Sequence, residues 1–175
     1  MRRTFTVSSL LLLAACSSMQ TTALVAVPDN IKASANETLA RVVPAKGVQI
    51  YECRASTNKA GTYEWAFVAP EADLFDRSGN KIGTHYAGPH WESADGSKLV
   101  GKVKSSAPAP GDGAIPWLLL AVKSVGTDGS FSKINSIQRV NTVGGVAPKG
   151  GCSQSAVGTT ERVPYTADYY FLSAK

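Results

Sequence analysis

Lys81–Val103 reads KIGTHYAGPHWESADGSKLVGKV. Lys81–Tyr86 alternates as a strand does, and Gly88-Pro89 then breaks it, since proline lacks the N–H a ladder needs. His90-Trp91-Glu92 begins a second extended piece. Asp95-Gly96, set between two strand-like runs, is a strong hairpin signal because both central residues of the favoured turn need positive φ. Leu99–Lys104 follows as a third extended run. The stretch therefore predicts an antiparallel meander.

The same grammar extends in both directions. Upstream, Val48–Cys53 (VQIYEC) and Tyr63–Val68 (YEWAFV) alternate with a period of two, the latter placing Tyr63, Trp65 and Phe67 on one face. Leu39–Val43 reads as a strand or short helical turn stopped by Pro44. Pro70 interrupts a run that resumes over Ala72–Asp76, and Arg77–Asn80 is a turn by composition. Downstream, Ser105–Pro116 is a Pro/Gly/Ala loop. Trp117–Val122 (WLLLAV) is a continuous apolar run whose shortness favours a strand covered on both faces. Phe131, Ile134, Ile137 and Val140 supply another strand or two, and Ala167–Leu172 closes the chain. Trp65 and Trp117 sit in regular apolar patterns and are expected in the core. The Gly-rich segment Thr142–Gly158 contains Gly144-Gly145, read as backbone relief and not as a cofactor cradle. The expected class is all-β, a single compact barrel or sandwich of about eight to ten short, mostly antiparallel strands.

The N-terminus carries an address. Arg2 and Arg3 precede an apolar run, Leu10–Ala15, too short to span a hydrocarbon core of about 30 Å. It fits a secretory signal peptide. The ending Leu13-Ala14-Ala15-Cys16 resembles the bacterial lipobox, in which the cysteine receives a diacylglyceryl group and becomes the acylated N-terminus. Several acyl chains give a stable anchor where one does not. Ser17, in place of Asp, resembles signals sorted to the outer membrane. The expected organisation is residues 1–15 as signal peptide, 16–32 as lipidated Cys16 and tether, and 33–175 as one domain, facing the periplasm. Membrane attachment runs through lipid alone.

With Cys16 modified, Cys53 and Cys152 remain as an even pair in an oxidising compartment. A disulfide is favoured over two buried free thiols. The spacing contains no CxxC and does not resemble a zinc or redox motif. The formal charge of +5 falls by two once Arg2 and Arg3 are removed. The remaining basic residues are scattered, without the clustering of a nucleic-acid footprint; no nucleic-acid partner is expected.

The central stretch holds both histidines. His85, Tyr86, His90, Trp91 and Glu92 combine stacking faces with hydrogen-bonding groups, as a sugar or small metabolite site requires. Two imidazoles and a carboxylate could in principle hold a metal, yet no third histidine, HExxH or cysteine cluster supports one. On a plain strand residues 85 and 90 point to opposite faces, although the Gly88-Pro89 kink can reset that. The carboxylate pairs Glu92/Asp95 and Asp73/Asp76 could serve as acid and base, but carboxylates near turns usually cap them. There is no GxSxG elbow, GxGxxG or phosphate loop. No cofactor and no catalytic residue is assigned, and the reading leans away from an enzyme. The leading class is a non-catalytic binding module for a small polar ligand or envelope component. The alternatives are a structural, protein-binding envelope lipoprotein, and a hydrolase-like or metal-dependent enzyme using His85, His90 and Glu92.

Four separated phrases carry a family resemblance: GVQIYEC (Gly47–Cys53), HYAGPHWE (His85–Glu92), IPWLLL (Ile115–Leu120) and IQRVNTVGG…GC (Ile137–Cys152). Together they resemble the bacterial and fungal proteins grouped as domain of unknown function 3455. The resemblance extends from about Val27 onward. It implies a secreted or envelope-attached single domain whose Cys53 and Cys152 match the family's pattern. It brings no activity and no catalytic residues.

Overall fold

The computed structural model describes residues 24–175. Its strands are β1 (Glu37–Ala55), β2 (Tyr63–Phe75), β3 (Lys81–Tyr86), β4 (His90–Ser93), β5 (Lys98–Ala107), β6 (Trp117–Ser124), β7 (Ile134–Gly144) and β8 (Thr160–Ala174). Each pairs antiparallel with the next, and β8 returns to β1, from Glu37↔Ala174 to Glu52↔Thr160, so the sheet closes as an up-and-down barrel. The all-β expectation holds, with eight strands and a barrel in place of a sandwich. Lys81–Val103 forms β3, β4 and the first half of β5, joined by turns at Ala87–Pro89 and Ala94–Ser97. The signal-peptide and Cys16 readings lie outside the described residues.

Two strands are longer than their sequence suggested. β1 runs straight through Pro44, and β2 runs through Pro70. The reason is the same in both. The β1–β2 ladder begins at Ala45↔Leu74, one residue past Pro44, and the β2–β3 ladder begins only at Ala72↔His85, past Pro70. Pro164 of β8 likewise lies beyond its last pair with β7, Gly144↔Tyr165. A proline has no N–H to give, so it is tolerated where a strand has a neighbour on one side only.

Alternation decides what fills the barrel. Val43, Ala45, Leu74, Trp91, Leu99, Leu120, Val122, Ile137, Tyr169 and Phe171 point inward and form one continuous core. Phe131, in the β6–β7 turn, plugs one end edge-on against Phe171 with centroids 4.9 Å apart. The wall is tightly coiled at Gly83, where a Cβ would sit 2.2 Å from the backbone oxygen of Glu92. A Gly83→Ala substitution must push β4 away from β3. We expect it to cost about 1–3 kcal/mol, as overpacking does, read as a lower urea midpoint at unchanged m-value.

A second cluster lies outside the barrel. Ile31, Ala107, Trp117, Leu119, Val140 and Tyr170 are buried under the N-terminal segment, with Val25 and Val27 packed against them. Val25 N–H donates to the Tyr170 hydroxyl, and Gln138 Nε2 donates to the Ile31 carbonyl. The part of the expected tether from Leu24 to Lys32 is therefore docked on the wall, because Ile31 is 0% exposed there. This strap explains the unbroken apolar run WLLLAV. Leu120 and Val122 face the barrel core, while Trp117 and Leu119 face the strap.

Cys53 and Cys152 form a disulfide with a Cα–Cα distance of 5.3 Å, tying the β7–β8 loop to the end of β1. Trp65 is not a core residue. It lies on this loop, its Nε1–H donating to the Gly150 carbonyl at 2.8 Å. Gly144 and Gly145, where β7 ends, both have positive φ, 68° and 82°. A Cβ on Gly144 would lie 2.6 Å from the Pro164 carbonyl oxygen. Backbone relief is their role.

Candidate functional site

The barrel is not equally tall all round. The β3–β4 hairpin turns back at Ala87–Pro89, whereas β2 and β5 on either side continue to Tyr63 and Ala107. Above the hairpin β2 pairs only with β1, and β5 only with β6. The result is a notch in the wall. Phe67 and Val68 of β2 and Val103 of β5 flank it, each about half exposed at 51%, 49% and 50%. Two successive residues of β2 reach the notch because Ile50 pairs with Ala69 and Tyr51 with Phe67. Val68 is thus the extra residue of a β-bulge, and the local kink re-aims its neighbours.

Beneath the notch lies a cavity of about 210 Å³. Its apolar wall is Phe67, Val68, Pro70, Val103, Leu118 and Leu120. Its polar groups come from Gln49, His85, Arg139 and Tyr169, with Trp91 beside them. His85, Trp91 and Tyr169 make the floor. The imidazole stacks on the indole at 4.4 Å, and Tyr169 meets both rings edge-on at 5.1 and 5.5 Å. Room for the indole comes from Gly101, where a Cβ would be 2.7 Å from Trp91 Cζ3.

The electrostatics of the floor are set by burial. His85 Nδ1–H donates to the His90 carbonyl at 2.7 Å, which leaves Nε2 unprotonated as an acceptor. Burial pushes the imidazole's pKa down to about 3, with the Arg139 charge and His90 adding to the effect and the His90 carbonyl opposing it. Burial also raises the Tyr165 and Tyr169 hydroxyls, which lie 3.3 Å apart. Arg139 donates through Nε and Nη2 to the Pro116 carbonyl, at 3.1 and 2.8 Å. It makes no ion pair among the described residues. Gln49 is 3% exposed, and its Nε2 has no hydrogen-bond partner although the Tyr165 hydroxyl is near; Trp91 Nε1 has none either.

The candidate residues of the central stretch are divided by the sheet. His85 pairs across the hairpin with Trp91, and Tyr86 with His90. One pair faces in and the other out, so the turn does not bring the two imidazoles together. His90 Nδ1 bonds the Ala87 carbonyl at 2.6 Å, and its ring stacks on Tyr86 at 5.2 Å. Tyr86 donates to Glu92 Oε2 at 2.5 Å, and Lys98 Nζ is 3.1 Å from the same carboxylate. These contacts hold the Glu92 carboxyl below its usual range, the Tyr86 bond being the largest cause. No group of three or more metal-ligating side chains exists among the described residues.

The other carboxylates have local duties. Asp95 accepts from Ser97 N–H and Oγ–H and from Ser130 N–H, joining the β4–β5 turn to the β6–β7 turn. Asp76 caps its own turn through Ser78 and Asn80 N–H, and Asp73 pairs with Lys81 at 2.6 Å.

Gln49, Phe67, Val103, Arg139 and Tyr169 line the cavity and were not singled out from the sequence. A signal existed for two of them. In VQIYEC the inward residues are Gln49, Tyr51 and Cys53, and Val48 and Ile50 face out. Arg139 shares its face with Ile137, two residues earlier. A polar or charged residue at an inward position is costly unless it has work to do.

No curated protein and no solved structure matches this chain. A family model described as a protein of unknown function (DUF3455) matches residues 33–173, which takes in the barrel from β1 through all but the last residue of β8. The chain belongs to that family.

Proposed function

We propose that this protein is an exported, lipid-anchored binding module, without catalytic activity, whose small ligand sits in the cavity beneath the notch. The observation that carries the reading is the cavity itself. A closed barrel of eight strands has just enough interior for side chains or one small ligand. Here buried side chains fill most of the interior, and the cavity is left beside the gap in the wall. Small-molecule sites are concave and mostly apolar, with a few placed polar groups. His85 and Trp91 belong to this site. Tyr86, His90 and Glu92 form a separate outer-face cluster that flanks its rim.

Anchoring rests on the lipobox-like Leu13–Cys16. With Val25 to Ile31 docked on the wall, seven residues, and so eight Cα–Cα steps, separate Cys16 from Leu24. Fully extended they reach no more than about 28 Å. The barrel then stays close to the membrane surface, on its outer-membrane, periplasmic side. Loss of radiolabelled palmitate incorporation in Cys16→Ser tests the anchor; retention of label would overturn it.

Native mass spectrometry of the full chain, purified from the envelope, tests the site. A Val103→Trp variant serves as the blocked form, since Val103 is half exposed at the notch and a larger side chain there fills it. The expected result is added small-molecule mass on the wild type and none on the variant. The same added mass on both proteins, or none on either with no uptake from a metabolite panel, would overturn the binding reading.

A further inference from the structure

Arg139 is the one cationic side chain that lines the cavity, and no carboxylate pairs with it among the described residues. Lys32, Lys81, Lys98 and Arg162 have an acidic partner within 4 Å; among the described cations that have none, Arg139 is set apart by its place on the cavity. Arg139 gives the Pro116 carbonyl one proton from Nε and one from Nη2, and its guanidinium lies beside the Tyr169 hydroxyl. A guanidinium has five N–H donors, and none of those of Arg139 meets a carboxylate among the described residues. Gln49, on the same cavity, adds a buried carboxamide whose Nε2 has no partner. A carboxamide N–H is a donor, so this group can meet an acceptor placed in the cavity. Facing these donors are walls of Phe67, Val103, Leu118 and Leu120.

We infer that the cavity selects a compact monoanion: a carboxylate held by Arg139 and Gln49, on an apolar body the size of one aromatic ring. The inference rests on the proposed cavity reading and adds the ligand class to it. Size supports it. A cavity of about 150 Å³ lined by aliphatic and aromatic side chains takes benzene, so about 210 Å³ accommodates a ring with a carboxylate. Charge supports it as well. A planar guanidinium matches a carboxylate through two parallel bonds, stronger than neutral ones. His85 cannot compete as the cation, because Nδ1–H is committed to the His90 carbonyl and the buried ring stays neutral. A half-buried arginine at the top of an apolar cavity, with no acid beside it, is a place prepared for one.

The test compares benzoate with benzyl alcohol, a neutral molecule of the same size, by calorimetric titration of the full chain at pH 7. The Trp91 indole N–H resonance reports occupancy. The expected result is benzoate binding about 10- to 100-fold tighter than the alcohol, the range of a charged hydrogen-bonded contact. Arg139→Gln should abolish that preference and leave alcohol binding unchanged, while Arg139→Lys should retain part of it. Because Arg139 also steadies the loop at Pro116, the acid-against-alcohol ratio on the wild type stands as a test that needs no variant. Equal binding of both compounds would overturn the anion inference and leave the cavity reading intact. Binding of neither, with the Trp91 resonance unmoved, would overturn both.

Discussion

Replacing Cys53 and Cys152 together by serine should lower the stability of the barrel by about 2–5 kcal/mol, with the chain-entropy model placing a loop of about 100 residues near 4.7. The bond spans a sequence separation of 99, so it restrains most of the domain in the unfolded chain. In the folded protein it fastens the β7–β8 loop, which otherwise holds to the end of β1 through two backbone bonds, Gly158 N–H to the Cys53 carbonyl and Cys53 N–H to the Thr159 carbonyl. Those bonds keep the β1–β8 ladder in register without the disulfide, so the variant should still form the barrel. Urea titration with and without reductant checks this. The wild type's midpoint should fall on reduction to that of the double serine variant, and the variant's should not respond. Trp65 lies against the same loop through Gly150, so its fluorescence should change before global unfolding. An unmoved wild-type midpoint under full reduction would show that the bond restrains nothing of consequence.

Acidification should destabilise the protein through His85, by an amount on the order of 4 kcal/mol at pH 3. In the unfolded chain the imidazole takes up a proton near pH 6.5. In the barrel it does so only near pH 3, chiefly because burial disfavours the charged ring. Between those values the unfolded state binds the extra proton, so each pH unit removed costs up to about 1.4 kcal/mol. This contribution to stability is complete above pH 6.5 and is lost progressively as pH falls toward 3. The charged and titratable groups nearest the ring are Arg139, His90 and Tyr169. Carboxylates such as Glu71, Glu92 and Asp95, whose pKa values are lowered by their hydrogen bonds, also weaken the fold in acid. They are present equally in a His85→Phe variant. The difference between wild type and variant therefore isolates the histidine. The wild type should lose about 4 kcal/mol more than the variant as pH drops from 6.5 to 3; parallel curves would mean that His85 titrates normally in the folded state.

Much of the barrel could be read locally. The Gly88-Pro89 break and Asp95-Gly96 turn placed β3, β4 and β5 because turn chemistry is a property of two or three adjacent residues. Strand ends were harder. Pro44 and Pro70 looked like stops, and became harmless only once β1 and β2 were known to lack a neighbour at those points. The tether from Leu24 was equally misleading in isolation, since nothing local says that Ile31 will find Trp117 and Tyr170.

The site divides in the same way. The all-β class, the pairing of Cys53 with Cys152 and the concentration of histidine and tryptophan in one hairpin were legible along the chain. Tertiary structure decided that His85 and Trp91 face in while Tyr86, His90 and Glu92 face out, because cross-strand pairing sets both faces at once. It alone brought Gln49, Arg139 and Tyr169, from β1, β7 and β8, onto one cavity. Periodicity records which residues share a face of one strand. Closing eight strands into a barrel decides which of those faces meet, and that closure depends on long-range pairing that no local window contains.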